Sequence, residues 1–257
     1  MESIYQKIEE LQKRNGTGAL CVVISTSGST PGKTGAKMIV YSDGSIFGTI
    51  GGGSVEKEVT EKALELMKSG KPEKFSFCLE EDFAMHCGGN AEVYIEPIMP
   101  LHKLYIFGAG HIGRAVMKFA KELDFMITVF DSRENIFSDD EFKSCNCIND
   151  DYLNAIENSV FDDNTFCVIV TPKHSYDEEI LIKLSKMPHA YLGMIGSDRK
   201  VAILKRKLLD EKIISMEEIE KIDMPIGIKF VAETPAEIAI SIVAKLVDVK
   251  NTLIQNK

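Results

Sequence analysis

The stretch Leu104-Tyr105-Ile106-Phe107-Gly108-Ala109-Gly110-His111-Ile112-Gly113 decides the fold of the C-terminal half of this chain. An apolar strand runs directly into the pattern Gly-x-Gly-x-x-Gly, and the residues after it have the apolar spacing of a helix. In such a loop the first glycine permits a tight turn, the second lets a phosphate approach the backbone, and the third lets the helix pack closely on the strand. The N–H groups at the start of the helix favour an anion. We therefore predict a Rossmann-type domain in which Gly108, Gly110, His111 and Gly113 bind a phosphate-bearing ligand.

An acidic residue stands at the end of the next predicted strand. This residue, Asp131, lies 23 positions after Gly108, which is about where the ribose-binding acid of a Rossmann domain belongs. An acid at this place favours a nucleotide with a free 2′-hydroxyl. Arg133, two residues further on, leaves a 2′-phosphate open as the alternative.

The patterns on the two sides of residue 98 differ. From residue 99 to 257, short apolar strands alternate with helices, which predicts a parallel sheet covered on both faces. Residues 1–98 instead predict a helix, a buried strand, a hairpin across Asp43-Gly44, a second helix and two closing strands. Pro97 and Pro100 are expected to end regular structure and to mark the boundary. The predicted fold class is α/β, with a C-terminal Rossmann-type parallel sheet and a smaller N-terminal α+β domain.

Composition narrows the function classes. The 257 residues carry a formal net charge of −9, which argues against nucleic acid as the main partner. No apolar run approaches the roughly 18 residues of a membrane helix, and the first residues show no signal peptide, so we expect a cytoplasmic protein. In that compartment we do not expect the six cysteines to form structural disulfides. Because they include no C-x-x-C pair, we also expect no structural zinc site.

A second glycine cluster, Gly51-Gly52-Gly53, leads into the predicted second helix of the N-terminal domain. Three consecutive glycines lose much chain entropy on folding, and close approach by a ligand or by another backbone segment would explain them. Glu56 lies in the first turn of that helix. Its carboxylate either accepts hydrogen bonds from a ligand or complements the helix dipole.

Several other residues are candidates for chemistry. Cys87, in the predicted loop Cys87-Gly88-Gly89, is either an accessible thiol for nucleophilic or metal chemistry or a small apolar turn residue. His174 follows a strand at the edge where open α/β sheets bind ligands, so it is either a ligand contact and proton carrier or a solvent-facing residue. Cys145 and Cys147 have the alternation of a short strand, with a soft-metal pair as the alternative. The sequence has no nucleophile elbow, Walker loop or H-E-x-x-H motif, which argues against several hydrolase classes.

A set of short segments occurs in order over nearly the whole chain. These are Gly28-Ser29-Thr30-Pro31, Gly35-Ala36-Lys37-Met38, Asp43-Gly44, Gly48-Thr49-Ile50-Gly51-Gly52-Gly53, Cys87-Gly88-Gly89, Glu96-Pro97, Phe107-Gly108-Ala109-Gly110-His111-Ile112-Gly113-Arg114, Gly193-Met194-Ile195-Gly196-Ser197 and Thr234-Pro235-Ala236-Glu237-Ile238-Ala239. Together they resemble the xanthine dehydrogenase accessory factor family, the XdhC/CoxI-type proteins. The chain departs from the family pattern at two places. Gly32-Lys33 stands where an arginine commonly follows the proline, and Val231 stands where the family usually has a glycine.

The resemblance implies a small XdhC domain joined to a Rossmann domain, and a function other than hydride transfer. Proteins of this family bind the molybdenum cofactor, as molybdopterin or its dinucleotide form, and assist its sulfuration together with a cysteine desulfurase. They then deliver it to an apo-enzyme of the xanthine dehydrogenase type, a molybdenum hydroxylase. On this interpretation Lys37, Gly51-Gly52-Gly53, Glu56 and His174 contact the cofactor, and Cys87 lies near the metal.

Two other function classes stay open. The Gly108 loop and Asp131 equally allow NAD and hence an NAD-dependent oxidoreductase, although the sequence offers no acid–base group beyond His174. A regulatory protein that senses a nucleotide is the third class. We expect a maturation chaperone rather than an enzyme. A homodimer would cover the strand edges of the small N-terminal domain.

Overall fold

The computed structural model describes residues 2–78 and 89–255. The chain divides into two compact units, Met1–Pro100 and Leu101–Gln255. Among the described residues, no helix combines the length and the apolar character needed to cross a membrane.

The first unit is an antiparallel sheet of five strands with two helices. The strands are β1 (Gly18–Ser27), β2 (Lys37–Tyr41), β3 (Ile46–Gly48), β4 (Glu73–Cys78) and β5 (Asn90–Ile98), and the helices are α1 (Ile4–Lys13) and α2 (Gly53–Ser69). The order across the sheet is β3-β2-β1-β5-β4. Helix α2 buries Val55, Val59, Ala63 and Met67, whose spacing of four places them in one stripe against the sheet.

The second unit is a parallel sheet of five strands, with the order β10-β9-β6-β7-β8. Its strands are β6 (His102–Phe107), β7 (Phe125–Phe130), β8 (Asn146–Ile148), β9 (Thr165–Ile169) and β10 (Tyr191–Met194). Its helices are α3 (His111–Ala120), α4 (Tyr152–Glu157), α5 (His174–Leu184), α6 (Asp198–Asp210), α7 (Met216–Lys221) and α8 (Pro235–Gln255), with a 3-10 helix at Asp140–Ser144.

Both faces of this parallel sheet are covered. One hydrophobic core lies under α3 and α8, which also pack against each other, and a second core lies under α4, α5 and α6. The chain winds from β6 toward β8 on one side and from β9 to β10 on the other, so the strand order reverses between β6 and β9. Ligands of open α/β sheets bind at such a reversal, outside the carboxyl ends of the strands. The predicted fold class is confirmed.

The structure departs from the sequence-based expectation at several elements. Pro97 lies inside β5, opposite Ala19, rather than ending it. The pairing of β5 with β4 begins at Ile95, so at Pro97 the strand has a neighbour on one side only and the missing N–H is tolerated. The sequence analysis also missed α4, α7 and the 3-10 helix, which are each five or six residues long. The apolar spacing predicts that the last helix ends at about Val247, whereas α8 extends to Gln255, eight residues further.

Candidate functional site

The three glycines of the loop between β6 and α3 have three different surroundings. Gly108 has φ +116°, and a Cβ there would lie 2.4 Å from the carbonyl oxygen of Val170. A Cβ at Gly113 would lie 1.8 Å from the carbonyl oxygen of Gly108, so only glycine lets α3 pack this closely on the loop. A Cβ at Gly110 would meet no described atom within 4 Å. Two of the glycines are therefore required by packing, whereas the second faces open space.

Gly110 is also the N-cap of α3, and no side chain caps this helix end. The first N–H groups of an uncapped helix seek an acceptor from outside the helix. An anion in the open space beside Gly110 would provide that acceptor and would meet the positive end of the helix dipole. His111, the first residue of α3, is exposed at the same place.

Asp131, at the end of β7, is completely buried and forms four hydrogen bonds within the chain. Its Oδ2 accepts from the backbone N–H of Ala109 at 2.7 Å and from Arg133 Nη2 at 2.8 Å. Its Oδ1 accepts from the backbone N–H and from Nε of Arg133, at 3.0 and 2.9 Å. A carboxylate has about four lone-pair positions, and all of them are used here. A ribose could bind to Asp131 only by displacing one of these donors.

The electrostatics of Asp131 follow from these contacts. Burial raises the pKa of the carboxyl group, but the hydrogen bonds from Arg133 and Ala109 outweigh it and hold the pKa below its ordinary value. The carboxylate is thus ionised and ties the glycine loop to β7. The side chain of Arg133 is 43% exposed, whereas that of Asp131 is fully covered. A ligand at this end of the loop would meet the guanidinium group rather than the acid.

His174 belongs to a second cluster, at the carboxyl ends of β9 and β10. Lys200 Nζ lies 2.5 Å from His174 Nε2. Because an ammonium group only donates, Nε2 must accept, and this network assigns the ring proton to Nδ1. Nδ1 lies 3.4 Å from Oδ2 of Asp177.

Asp177, in the first turn of α5, is the buried member of this cluster. Its Oδ1 accepts from the backbone N–H and the hydroxyl of Thr171, at 3.1 and 2.6 Å. Its Oδ2 is buried and has no hydrogen-bond partner among the described residues, since the 3.4 Å approach of His174 is not a hydrogen bond. Burial raises the pKa of Asp177, and the bonds from Thr171 offset this only in part.

Two cavities lie along the same edge of the sheet. The first, of about 270 Å³, is lined by the charged cluster and by apolar residues from β10 and α6, among them His174, Lys200, Met194, Ile203 and Leu204. The second, of about 690 Å³, is lined by residues 195–198 and 225–232 together with Ile238 and Ser241. Val231, which stands where the XdhC/CoxI-type proteins usually have a glycine, lines the second cavity and is 88% exposed.

In the first unit, the glycine cluster before α2 serves two purposes. Gly51 has φ +123°, and a Cβ there would lie 2.2 Å from the backbone nitrogen of Gly32. In turn, a Cβ at Gly32 would lie 2.0 Å from the carbonyl oxygen of Ile50. These two loops therefore touch backbone to backbone. A Cβ at Gly53 would meet no described atom within 4 Å, and Gly52, the N-cap of α2, forms no side-chain cap.

Glu56 and Lys37, two further predicted cofactor contacts, have partners within the first unit. Glu56 Oε1 accepts from the hydroxyl of Thr49 at 2.5 Å and from the N–H of Ile50 at 3.3 Å, which fixes the chain before the glycines onto α2. Lys37 Nζ donates to the carbonyl of Gly35 at 3.1 Å. Both contacts are structural, and contact of either residue with a cofactor stays a prediction.

Gly89 brings a third family segment to these loops. A Cβ at Gly89 would lie 2.4 Å from the carbonyl oxygen of Ser29, in the first of the family segments. Cys87, the predicted metal contact, lies outside the described residues. Across residues 2–78 and 89–255, no three or more side chains of His, Cys, Asp or Glu gather as a metal site.

Comparison with known proteins identifies the family. The model of the XdhC Rossmann domain matches residues 104–246, and that of the XdhC and CoxI family matches residues 11–80. The chain belongs to the XdhC family. The resemblance found in the sequence is confirmed.

This XdhC chain is also similar to individual curated proteins. It is 34% identical over 255 residues to the uncharacterized protein YqeB of Escherichia coli, a match that covers 97% of this chain and 46% of that protein. It is 25% identical over 171 residues to a probable xanthine dehydrogenase subunit of Bacillus subtilis, over 64% of this chain and 48% of the relative. The XdhC chain thus spans about half the length of the curated relatives it matches.

A solved structure supports the fold. The crystal structure of a xanthine dehydrogenase from Bacillus halodurans superposes with a TM-score of 0.53 and 21% sequence identity, covering 98% of this chain and 96% of the other. At this identity the likeness concerns the fold alone.

The sequence analysis did not predict the contacts that three charged residues of this XdhC chain make within the fold. Arg133 covers Asp131, Lys200 donates to Nε2 of His174, and Asp177 lies 3.4 Å from its Nδ1. The position of Arg133, two residues after Asp131, was a usable signal. No signal in the sequence links Lys200 to His174, because the two residues are brought together only by the adjacency of β9 and β10.

Proposed function

We propose that this chain is an accessory protein that binds the molybdenum cofactor and delivers it to a molybdenum hydroxylase of the xanthine dehydrogenase type. Membership of the XdhC family suggests a xanthine dehydrogenase accessory role. The name of the Bacillus subtilis relative, which describes a probable xanthine dehydrogenase subunit, supports the same partner class. Sulfuration of the cofactor with a cysteine desulfurase belongs to this proposal as its further step.

The observation that carries the proposal is the uncapped start of α3 beside Gly110. The cofactor is the cargo, and in both of its forms it has a phosphate. The open space at Gly110 and the free N–H groups of α3 fit a phosphate group. Within the first unit, the open space at Gly53 and the uncapped start of α2 offer room for a polar group of a ligand.

An NAD-dependent oxidoreductase is the second candidate, and one observation favours it. The Asp177–His174 pair beside a cavity of about 270 Å³ is an arrangement that could carry a proton. The surroundings of Asp131 count against NAD, because its four acceptor positions are already occupied. A ligand that places an anion against Arg133 fits this site better than one that needs a free carboxylate.

Two alanine variants test the proposal without disturbing the fold. At Gly110 and Gly53 an added Cβ meets no described atom, and neither glycine has a φ that excludes alanine. The added methyl group instead occupies the open space in which we propose that the ligand binds. We expect Gly110→Ala and Gly53→Ala each to weaken binding of isolated molybdenum cofactor by about tenfold or more, which corresponds to about 1.4 kcal/mol.

The measurement is anaerobic gel filtration of the purified chain with the cofactor, followed by fluorescence of the oxidised pterin. Activation of an apo-hydroxylase by the loaded chain is the second measurement. Lys13→Ala, at an exposed residue of α1, is the control. Absence of cofactor binding by the unmodified chain, combined with tight NADH binding and turnover of an alcohol or aldehyde, would replace the proposal by the oxidoreductase alternative.

A further inference from the structure

Three sulfur atoms lie together between α3 and β8, in the second unit. Cys145 Sγ is 3.3 Å from Met117 Sδ and 3.7 Å from Cys147 Sγ. The backbone is extended at Cys145 and continues into β8, so the side chains of Cys145 and Cys147 point to the same side. Met117 reaches them from the middle of α3.

The side chains of this cluster are soft metal ligands. Its members are two thiols and a thioether, and the carbonyl oxygen of Phe142 lies 3.3 Å from Cys145 Sγ and 3.8 Å from Cys147 Sγ. Thiolate and thioether ligands select copper(I) over the hard cations. Structural zinc is usually held by four Cys or His side chains, and among the described residues no His, Asp, Glu or third Cys joins these two cysteines in a metal-binding group.

The distances fit one ion. Two sulfur atoms that are 3.7 Å apart, each bonded at about 2.3 Å, enclose an angle of about 107° at the metal. For the pair separated by 3.3 Å the angle is about 92°. A three-coordinate site with angles near 120° places the sulfur atoms about 4.0 Å apart, so the 3.7 Å pair must open by about 0.3 Å and the 3.3 Å pair by about 0.7 Å when the ion binds. We propose that Met117, Cys145 and Cys147 form a three-sulfur binding site for copper(I).

The surroundings allow an ion to enter and to be held. Met117 is completely buried, whereas Cys145 and Cys147 are half-buried at the edge of the core. When copper(I) binds, each thiol gives up its proton, so that two thiolates and one monovalent cation leave a net charge of −1. Burial and the neighbouring Cys145 raise the pKa of the Cys147 thiol to about 12, and the charge of Lys121 offsets only a small part of this, so the metal has to displace the proton to solvent as the copper–sulfur bond forms.

The position of the site gives it a structural consequence. Met117 is seven residues beyond Gly110, or about 10 Å along α3. A bound ion would join α3 to β8 and fix the helix whose start forms the candidate phosphate site. The inference does not depend on the identity of the ligand at that site.

The test is an anaerobic titration of the reduced full chain with copper(I) in competition with a chromophoric chelator. Because Cys87 is another candidate metal contact, the titration is also made in the Cys87→Ser background. We expect one tight equivalent in both backgrounds, with sulfur neighbours in the copper X-ray absorption spectrum. Loss of an outer-shell partner typically weakens metal binding by roughly 10–100-fold, so loss of a direct thiolate should exceed that.

The variants separate this site from other thiols. Cys145→Ser and Cys147→Ser should each weaken binding by more than about 100-fold, and Met117→Leu, which keeps the volume of the core, by about tenfold. Cys78→Ser is the matched half-buried control and should leave the affinity unchanged. Circular dichroism establishes that each variant is folded. Binding that survives both Cys145→Ser and Cys147→Ser, or that is absent from the unmodified chain, would overturn the proposal.

Discussion

Replacing Arg133 with methionine tests how the glycine loop is held. The substitution removes two donors, Nε and Nη2, from the buried carboxylate of Asp131 and leaves only the N–H groups of Ala109 and of residue 133. A hydrogen bond to a charged group contributes about 1.5–3 kcal/mol. Because the Arg133 side chain is 43% exposed, water replaces part of this, and we expect a loss of about 2–3 kcal/mol.

The matched control is Arg206→Met. Arg206 forms an ion pair with Asp210 at 3.4 Å, with side chains 85% and 69% exposed, so its loss should change the free energy of unfolding by less than about 0.5 kcal/mol. Because the chain has no tryptophan, unfolding in guanidinium is followed by far-UV circular dichroism. Hydrogen exchange at the Ala109 amide gives a local measure that does not depend on both units unfolding together, and exchange there should accelerate.

The pH dependence provides a second check with a defined sign. In the unmodified chain the pKa of Asp131 lies below its unfolded value, so its stabilising contribution is present above about pH 4 and is lost only as the pH falls further. In Arg133→Met the same buried carboxyl group loses its cation, and we expect burial to raise its pKa above the unfolded value. The folded variant then takes up a proton in mild acid, and its deficit should shrink between pH 7.5 and about pH 5. Equal stabilities of Arg133→Met and Arg206→Met, with unchanged exchange at Ala109, would refute the reasoning.

Three further predictions concern other parts of the site. Gly113→Ala should lower the free energy of unfolding by more than about 3 kcal/mol, because its Cβ would lie 1.8 Å from a carbonyl oxygen, although alanine favours helices. Gly110→Ala should change the same free energy by less than about 1 kcal/mol in the same denaturation assay. Glu56→Gln should lower it by about 1 kcal/mol, measured as a decrease in melting temperature, because the neutral amide accepts the bonds from Thr49 and Ile50 more weakly. Asp177→Asn should flatten the pH dependence of the free energy of unfolding. Burial raises the pKa of Asp177, so this carboxyl group stabilises the fold fully below its unfolded pKa, and the stabilisation is lost as the pH rises through its folded pKa. An unchanged slope between about pH 4 and 7 would contradict this.

The order of elements in the second unit could be predicted because each strand and helix is a separate apolar segment of the sequence. The short elements could not, since α4 and α7 have six residues each and present too few turns for a helical period to show. The strand at Pro97 was missed for a different reason. Whether a proline interrupts a strand depends on which side of it has a neighbour, and that is a property of the sheet.

The candidate site divides in the same way. The positions of Gly108, Gly110 and Gly113 between β6 and the first turn of α3 could be predicted from spacing alone, and their contact with a ligand stays a prediction. For Asp131 the sequence predicted the position but not the partner. Arg133 is close enough along the chain either to point at a ligand or to fold back on the acid, and the structure has it folded back. His174 was placed at the correct sheet edge, whereas its contact with Lys200 depends on two strands that are neighbours only in the folded chain.

The two glycine clusters show which glycines carry information about a ligand. A glycine weakens local structure, so its presence needs a reason. For Gly51, Gly108 and Gly113 the reason lies within the protein, because a side chain at any of them would strike backbone atoms. Gly110 and Gly53 have no such reason, since their φ values permit other residues and a Cβ would meet no described atom. Gly110 is the N-cap of α3, where serine or aspartate would add stability, whereas Gly53 is the first residue of α2 and follows the N-cap Gly52, whose φ of +147° favours glycine. A residue that leaves a helix start uncapped and open is best explained by a ligand that occupies the place, and this makes Gly110 and Gly53 the two most informative positions to fill.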